Sequence, residues 1–249
     1  MMTTTIPPGF DKALALKLAN ASLLAYTQFT DPAQFTMEPG YTLVAEFEAD
    51  VLGNTEPFGY LAKSATDAVL AFRGTDDFPD AIADIRYNQA TYPYDANAGM
   101  SHVGFTTVYD STRTAVQAAV AALPAGITLY ITGHSLGGGV ATLAALDIAA
   151  NTSFTSPIIY TIASPRVGDP DFATRFDSGL VTAQTRSWRV VNMYDLVPLL
   201  PPKDIFDLLD VKTYYYTHVT NDLLLAFFKG GAIDNHDLSN YIEAIGQLS

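Results

Sequence analysis

Ser135 lies at the centre of Gly133-His134-Ser135-Leu136-Gly137, a G-x-S-x-G pattern. A serine hydroxyl is a weak nucleophile until it is held clear of the backbone and beside a base. A sharp strand-to-helix turn can do the holding, provided its neighbours are small enough for the two elements to approach closely. The helix that follows points free N–H groups at negative charge developing beside the serine. Attack on an acyl carbon is the chemistry such a turn serves.

Three fixed positions alone are weak, and their surroundings make them specific. Ile127, Leu129 and Ile131, with Thr128 and Tyr130 between them, predict a short buried strand. Leu136 to Ala150 is rich in Ala and Leu, contains no proline and predicts a helix. A glycine-rich turn with an idle serine has no need of strand, turn and helix in that order.

The serine needs a base, and the base needs a carboxylate to orient it. The chain has four histidines. His134 belongs to the turn, and its side chain should point away from that of Ser135. His102 precedes the turn, against the chain order serine, acid, histidine. His218 sits inside the strand-like YYYTHVT and reads as a structural histidine. His236, in a loop ahead of the last helix, is the candidate base. Among carboxylates between Ser135 and His236, Asp169, Asp171 and Asp177 come too early, near a short helix. Asp204, Asp207 and Asp210 read as a solvated helical face. Asp195 follows the run Trp188–Asn192 and has apolar neighbours able to bury and fix it, so it is the candidate orienter.

The elements that must position these groups alternate between strand and helix. A first amphipathic helix is expected from about Gly9 to Thr27, then a strand over Tyr41–Glu48. Phe58–Lys63 and Asp67–Phe72 predict a hairpin across Ser64-Ala65-Thr66. A helix from Phe105 to Leu123, the strand 127–132 and the helix after Ser135 follow. Ile158–Ala163 and Trp188–Asn192 predict buried strands, Tyr214–Val219 an edge strand and Leu238–Leu248 a closing helix. This order implies an α/β fold: a mostly parallel mixed sheet with helices on both faces. Thr75, Ser135 and Asp195 would each follow the carboxyl end of a strand, where such sheets gather their chemistry.

Bulk properties narrow the classes. At 249 residues and 49% hydrophobic content, a large core can form without staples, and one domain over 1–249 is the expectation. No cysteine is present, which excludes disulfides, thiolate metal sites and a cysteine nucleophile. The net charge of −13 repels nucleic acid and anionic lipid. Thr114 to Leu146 carries no charged residue, but Pro124-Ala125-Gly126 and Gly137-Gly138-Gly139 divide it below the ~20 residues a membrane span needs. The N-terminus has no basic region ahead of its apolar stretch and reads as helix rather than signal peptide; the compartment stays open between cytoplasm and secretion.

GHSLGGG, with FRGT (Phe72–Thr75), HVGF (His102–Phe105), ASPRVGD (Ala163–Asp169) and NMYDLVPLLPP (Asn192–Pro202), resembles the class 3 lipase family. These are the fungal-lipase-like α/β hydrolases, and the motifs run in family order from about residue 41 to the C-terminus. The resemblance implies an oxyanion hole made by the N–H groups of Thr75 and Leu136, with the Thr75 hydroxyl tied to Asp84. It makes His218 part of a YxHV strand motif. It also implies a lid within about 76–90 whose short helix would run from Asp77 to about Asp84, with Phe78, Ile82 and Ile85 as its apolar anchors. Ala81 stands where the family often has tryptophan. Without cysteines, the chain resembles a bacterial-type member rather than the disulfide-held fungal ones.

The expected function is hydrolysis of carboxylic esters, acylglycerols foremost, at a lipid–water interface and without a cofactor. Ser135 would be the nucleophile, His236 the base and Asp195 its orienter. A neutral imidazole is required for attack, so activity should rise with pH through the histidine range. Another ester class on the same scaffold, such as a feruloyl ester or a phospholipid, is the near alternative, and a catalytically idle binding protein the distant one. The acids Asp76, Asp77, Asp80 and Asp84 fit no calcium loop and read as an acid-rich helix start, so no metal is expected.

Overall fold

A computed structural model describes residues 6–75, 87–180, 186–208, 211–219 and 221–248. Helix α1 (Lys12–Thr30) opens the fold, capped by Asp11, whose carboxylate accepts from the Leu14 N–H at 3.0 Å. Its buried positions Ala15, Leu18, Ala19, Ser22 and Ala25 recur at helical spacing and form its inward stripe. Strands β1 (Thr42–Val51), β2 (Asn54–Lys63) and β3 (Asp67–Phe72) follow, and β4 (Gln89–Thr91) pairs with β5 (Met100–His102) in a separate ribbon. Then come α2 (Val103–Ala121), β6 (Thr128–His134), α3 (Leu136–Asn151), β7 (Ile158–Ile162), α4 (Pro170–Leu180) and β8 (Ser187–Asn192). The chain continues through β9 (Asp204–Asp207), β10 (Lys212–Tyr215), β11 (Asp222–Leu225), α5 (Ala232–His236) and α6 (Leu238–Gly246).

The seven-stranded main sheet has the order β1-β2-β3-β6-β7-β8-β11. The β1–β2 and β2–β3 pairs are antiparallel, and every pair from β3 to β11 is parallel. Parallel strands are covered on both faces, and β3 shows it. Ala68, Leu70 and Phe72 join the core shared with α2, α3 and α4, while Val69 and Ala71 join the opposite core with α1 and α6. Helix α3 is buried from Gly137 to Ile148, as expected of a helix that is apolar all round. Full burial of one side chain such as Phe72 stabilises by about 1.5–3 kcal/mol, so these cores anchor the central strands.

The ends of β3 and β6 position the site. Phe72 pairs with Gly133, which brings Arg73-Gly74-Thr75 alongside His134-Ser135. Asp195 follows β8 two strands further on.

Two expectations fail in the C-terminal third. Tyr214–Val219 is not an edge strand of the main sheet: strand structure stops at Tyr215, and β10 pairs with β9 in its own ribbon. The outermost strand is instead β11, parallel to β8. Asp204 and Asp207 do not lie on a helical face either. They bound β9, whose exposure alternates residue by residue, and acids three apart suit either geometry in so short a segment. Asp210 lies outside the described residues. Among the described residues no helix is long and apolar enough to cross a membrane, and the charge-free stretch is divided among α2, β6 and α3.

Candidate active site

Ser135 occupies the step between β6 and α3 with φ 56° and ψ −127°. A non-glycine residue there costs roughly 1–3 kcal/mol, held by the surrounding structure. The Ser135 N–H donates to the Ile162 carbonyl at 3.0 Å, and its own carbonyl accepts from Gly138 and Gly139. The flanking glycines answer to close approach. A Cβ on Gly133 would meet the Gly137 carbonyl oxygen at 2.1 Å, and one on Gly137 would meet the Arg73 carbonyl oxygen at 2.2 Å. As the first residue of α3, Leu136 has no intrahelical acceptor for its N–H, which is one of four such donors at the helix start.

Asp195 and His236 meet in a buried hydrogen bond, His236 Nδ1 to Asp195 Oδ2 at 2.8 Å. Asp195 is 2% exposed and His236 5%. His236 is therefore not in a loop, as the sequence suggested, but ends the one-turn helix α5, packed inward. Asp195 has further donors. Tyr241 of α6 gives its hydroxyl to Oδ2 at 2.7 Å, and the Val197 N–H reaches Oδ1 at 2.9 Å. Burial first, then the Asp195 charge, raises the Tyr241 hydroxyl well above the usual tyrosine range, so it remains a donor.

The loop carrying Asp195 is clasped from behind. Arg166, from the ASPRVGD motif, donates Nη1 to the carbonyls of Leu199 and Pro201, the latter at 2.7 Å. His218 gives Nε2–H to the Pro198 carbonyl at 2.6 Å. Burial pushes His218 down to about 3, with Arg189 and other nearby cations adding to the effect. The sequence reading of His218 as structural holds. His102 is structural too: its Nδ1 accepts from the Phe105 N–H at the start of α2, and its ring stacks on Phe105 at 4.1 Å.

Beside the elbow, Arg73 is buried with its guanidinium 3.9 Å from the centre of the Phe29 ring. It donates Nε to the Pro57 carbonyl at 2.6 Å and Nη1 to the Gly74 carbonyl at 2.7 Å. A trans peptide points its N–H opposite its C=O, so holding the Gly74 carbonyl also aims the Thr75 N–H. A Cβ on Gly74 would meet the Tyr26 hydroxyl at 2.2 Å and Ser135 Cβ at 2.9 Å. The glycine of FRGT keeps that space clear.

The structure thus brings Ser135, Leu136 and Thr75 together at the carboxyl ends of the adjacent strands β3 and β6 and joins Asp195 to His236. Asp84, Phe78, Ile82 and Ile85 lie outside the described residues. Of the expected lid segment 76–90, the helix expected at about 77–84 lies outside the described residues, and Gln89 and Ala90 are in β4. Among the described residues no group of three or more His, Asp or Glu could hold a metal ion. Sequence reasoning missed Arg73, Gly74, Arg166 and Tyr241. The FRGT and ASPRVGD strings carried three of them without showing what they touch.

The model of the class 3 lipase family matches residues 69–205, over half of the chain. The chain belongs to the class 3 lipase family. Its fold is the α/β-hydrolase fold. A lipase of Rhizopus niveus is 36% identical over 154 residues, which are 58% of this chain and 38% of that protein. Secreted mono- and diacylglycerol lipase A of Penicillium cyclopium is 33% identical over 168 residues, 65% of this chain and 52% of that protein. The chain's match spans between about two fifths and half the length of these two lipases. Among solved structures, lipase II from Rhizopus niveus aligns with a TM-score of 0.65 at 28% identity, covering 78% of this chain and 77% of that one.

Proposed function

We propose that this member of the class 3 lipase family is a serine hydrolase of carboxylic esters, acting on acylglycerols through an acyl-enzyme on Ser135. The Asp195–His236 hydrogen bond, set beside a strained elbow at Ser135, carries the reading. With Nδ1–H given to Asp195, the neutral His236 ring takes the Ser135 proton at Nε2 as Oγ attacks the ester carbonyl. The N–H groups of Thr75 and Leu136 receive the oxyanion, and loss of one such donor typically costs about 2.7–4 kcal/mol. His236 then returns the proton to the departing alcohol. Water repeats the sequence in the second half and releases the acid.

Acylglycerol as the substrate class is supported by the Rhizopus and Penicillium relatives, a lipase and a mono- and diacylglycerol lipase. It is also supported by the site's rim. Met193, Tyr194, Leu196 and Leu199 on the Asp195 loop, with Phe228 and Ile233 ahead of His236, are exposed apolar side chains. Tyr194 and Phe228 pack edge to ring at 5.4 Å, joining the two loops. Such a surface suits a lipid–water interface. The whole chain, 1–249, is read as a single domain with a lid within about 76–90. Phe78, Ile82 and Ile85 give that lid few apolar anchors, so the rate should rise only modestly when a short-chain triglyceride passes its solubility.

A fluorophosphonate probe and a series of p-nitrophenyl esters of increasing chain length test the reading. Labelling at Ser135, absent from Ser135→Ala, is expected together with ester turnover. An unlabelled, inactive chain would leave the idle binding protein. Turnover of phospholipid or feruloyl ester, with acylglycerol untouched, would move the substrate class.

A further inference from the structure

His134 stands next to the nucleophile, yet its side chain turns away from it into the layer between β6, α1 and α5. It is buried, and both ring nitrogens are engaged. Nε2 lies 2.9 Å from the backbone carbonyl oxygen of His236. Nδ1 lies 2.8 Å from the hydroxyl of Tyr26 on α1. The rings of His134 and His236 face each other with centroids 4.6 Å apart. A carbonyl oxygen can only accept, so the proton of His134 is on Nε2, and bare Nδ1 accepts from the tyrosine.

We infer that His134 is a positioning residue for the His236 imidazole, forming with Tyr26 a strut that ties α1 and the elbow to the backbone of α5. The inference rests on the hydrolase reading above. Asp195 holds the His236 ring through Nδ1, and the Asn192 amide holds the neighbouring Asn235 carbonyl at 3.1 Å. The bond to the His236 carbonyl is the one that starts from the residue adjoining Ser135, so it gives base and nucleophile a shared reference point. A misplacement of about 1 Å between reacting groups can cost ~100-fold in rate. Burial, and then the neighbouring His236, holds His134 well below the ordinary histidine range, which keeps the ring neutral, and the His236 carbonyl fixes which nitrogen carries the proton.

Three variants of the full chain separate positioning from packing. His134→Gln keeps a donor near the Nε2 position, His134→Met fills similar volume with none, and Tyr26→Phe removes one hydroxyl. The readouts are kcat and KM on a soluble p-nitrophenyl ester, the fluorophosphonate labelling rate and the melting temperature. His134→Met is expected to lose about 30-fold or more in kcat and in labelling rate, with KM within about threefold of wild type. His134→Gln should recover most of that loss at a similar melting temperature, and Tyr26→Phe should lose roughly fivefold in kcat. Equal activity of the Gln and Met variants, or a loss carried by KM, would overturn the inference. Should His134→Met fail to fold, an unchanged kcat in Tyr26→Phe would overturn it as well. A wild-type chain that neither labels nor turns over would sink the hydrolase reading itself, whereas an active wild type with indifferent variants sinks only the strut.

Discussion

Tyr241 and His236 converge on the same carboxylate oxygen, Asp195 Oδ2, at 2.7 and 2.8 Å. The tyrosine also accepts from the Asn192 N–H at 2.9 Å, so one hydroxyl links the end of β8 to the carboxylate. Tyr241→Phe leaves the carboxylate with one donor fewer and orphans a buried N–H. A stability loss of about 1.5–3 kcal/mol is expected in urea melts. With Asp195 less firmly held, kcat should fall about tenfold, or roughly 1.4 kcal/mol of barrier. A Phe variant with wild-type kcat would show that the hydroxyl serves the fold alone.

Gly74 sits where a methyl group would collide with Ser135 Cβ, the His134 carbonyl oxygen and the Tyr26 hydroxyl. Two of the three belong to the rigid elbow, so Gly74→Ala must shift the loop that carries Thr75. The variant is expected to lose about 100-fold or more in kcat, with a stability cost of only ~1–3 kcal/mol. Steady-state kinetics beside a melt would decide it, and full activity would remove Thr75 from the oxyanion site.

His218 gives a pH-dependent stability of definite sign. Burial depresses its folded pKa to about 3, so between that value and the unfolded value the unfolded chain binds more protons. Stability therefore rises with pH across that window and falls as acid is added. From about pH 7.5 to pH 5.5 this single group should remove roughly 1.4 kcal/mol, taking ~6.5 for the unfolded histidine. His218→Gln can keep a donor for the Pro198 carbonyl and should flatten the unfolding free energy over that range by about this amount. An identical pH dependence in wild type and variant would refute the assignment.

On the proposed acylglycerol reading, the exposed apolar rim predicts how the protein would meet lipid. Leu199→Asp combined with Phe228→Asp places charge where the rim would enter an oil surface. Adsorption to a neutral triglyceride emulsion is expected to fall about tenfold or more, with turnover of a soluble ester nearly unchanged. Because the chain carries a net charge of −13, binding to anionic vesicles should be weaker than to neutral ones at low salt. Unaltered adsorption of the double variant would mean that lipid is met elsewhere.

Much of this was legible because it was local. Strand, elbow and helix around Ser135 fall within some twenty consecutive residues, and β3 announced itself by an apolar run ending at Arg73. Asp195 was findable as the acid that follows a buried strand. The C-terminal third was not. Strand β11 is four residues long, too short for a period to declare itself, and it gains its place by pairing with β8. His134 was legible as a residue of the elbow and illegible as a clamp, because its partners lie 108 and 102 residues away along the chain. A separation of 46 residues from Asp195 likewise hid Tyr241, whose hydroxyl means nothing until α6 packs against β8.

The elbow and Asp195 lie within the family match, but Tyr26, His236 and Tyr241 come from segments outside it. During translation, Ser135 is made 101 residues before its base, His236. At about 5–20 residues per second, that interval is several seconds in which the nascent chain holds a nucleophile with no partner. On the proposed reading, competence to cut esters would then be among the last properties the polypeptide acquires, and a chain stalled before α5 would lack its base.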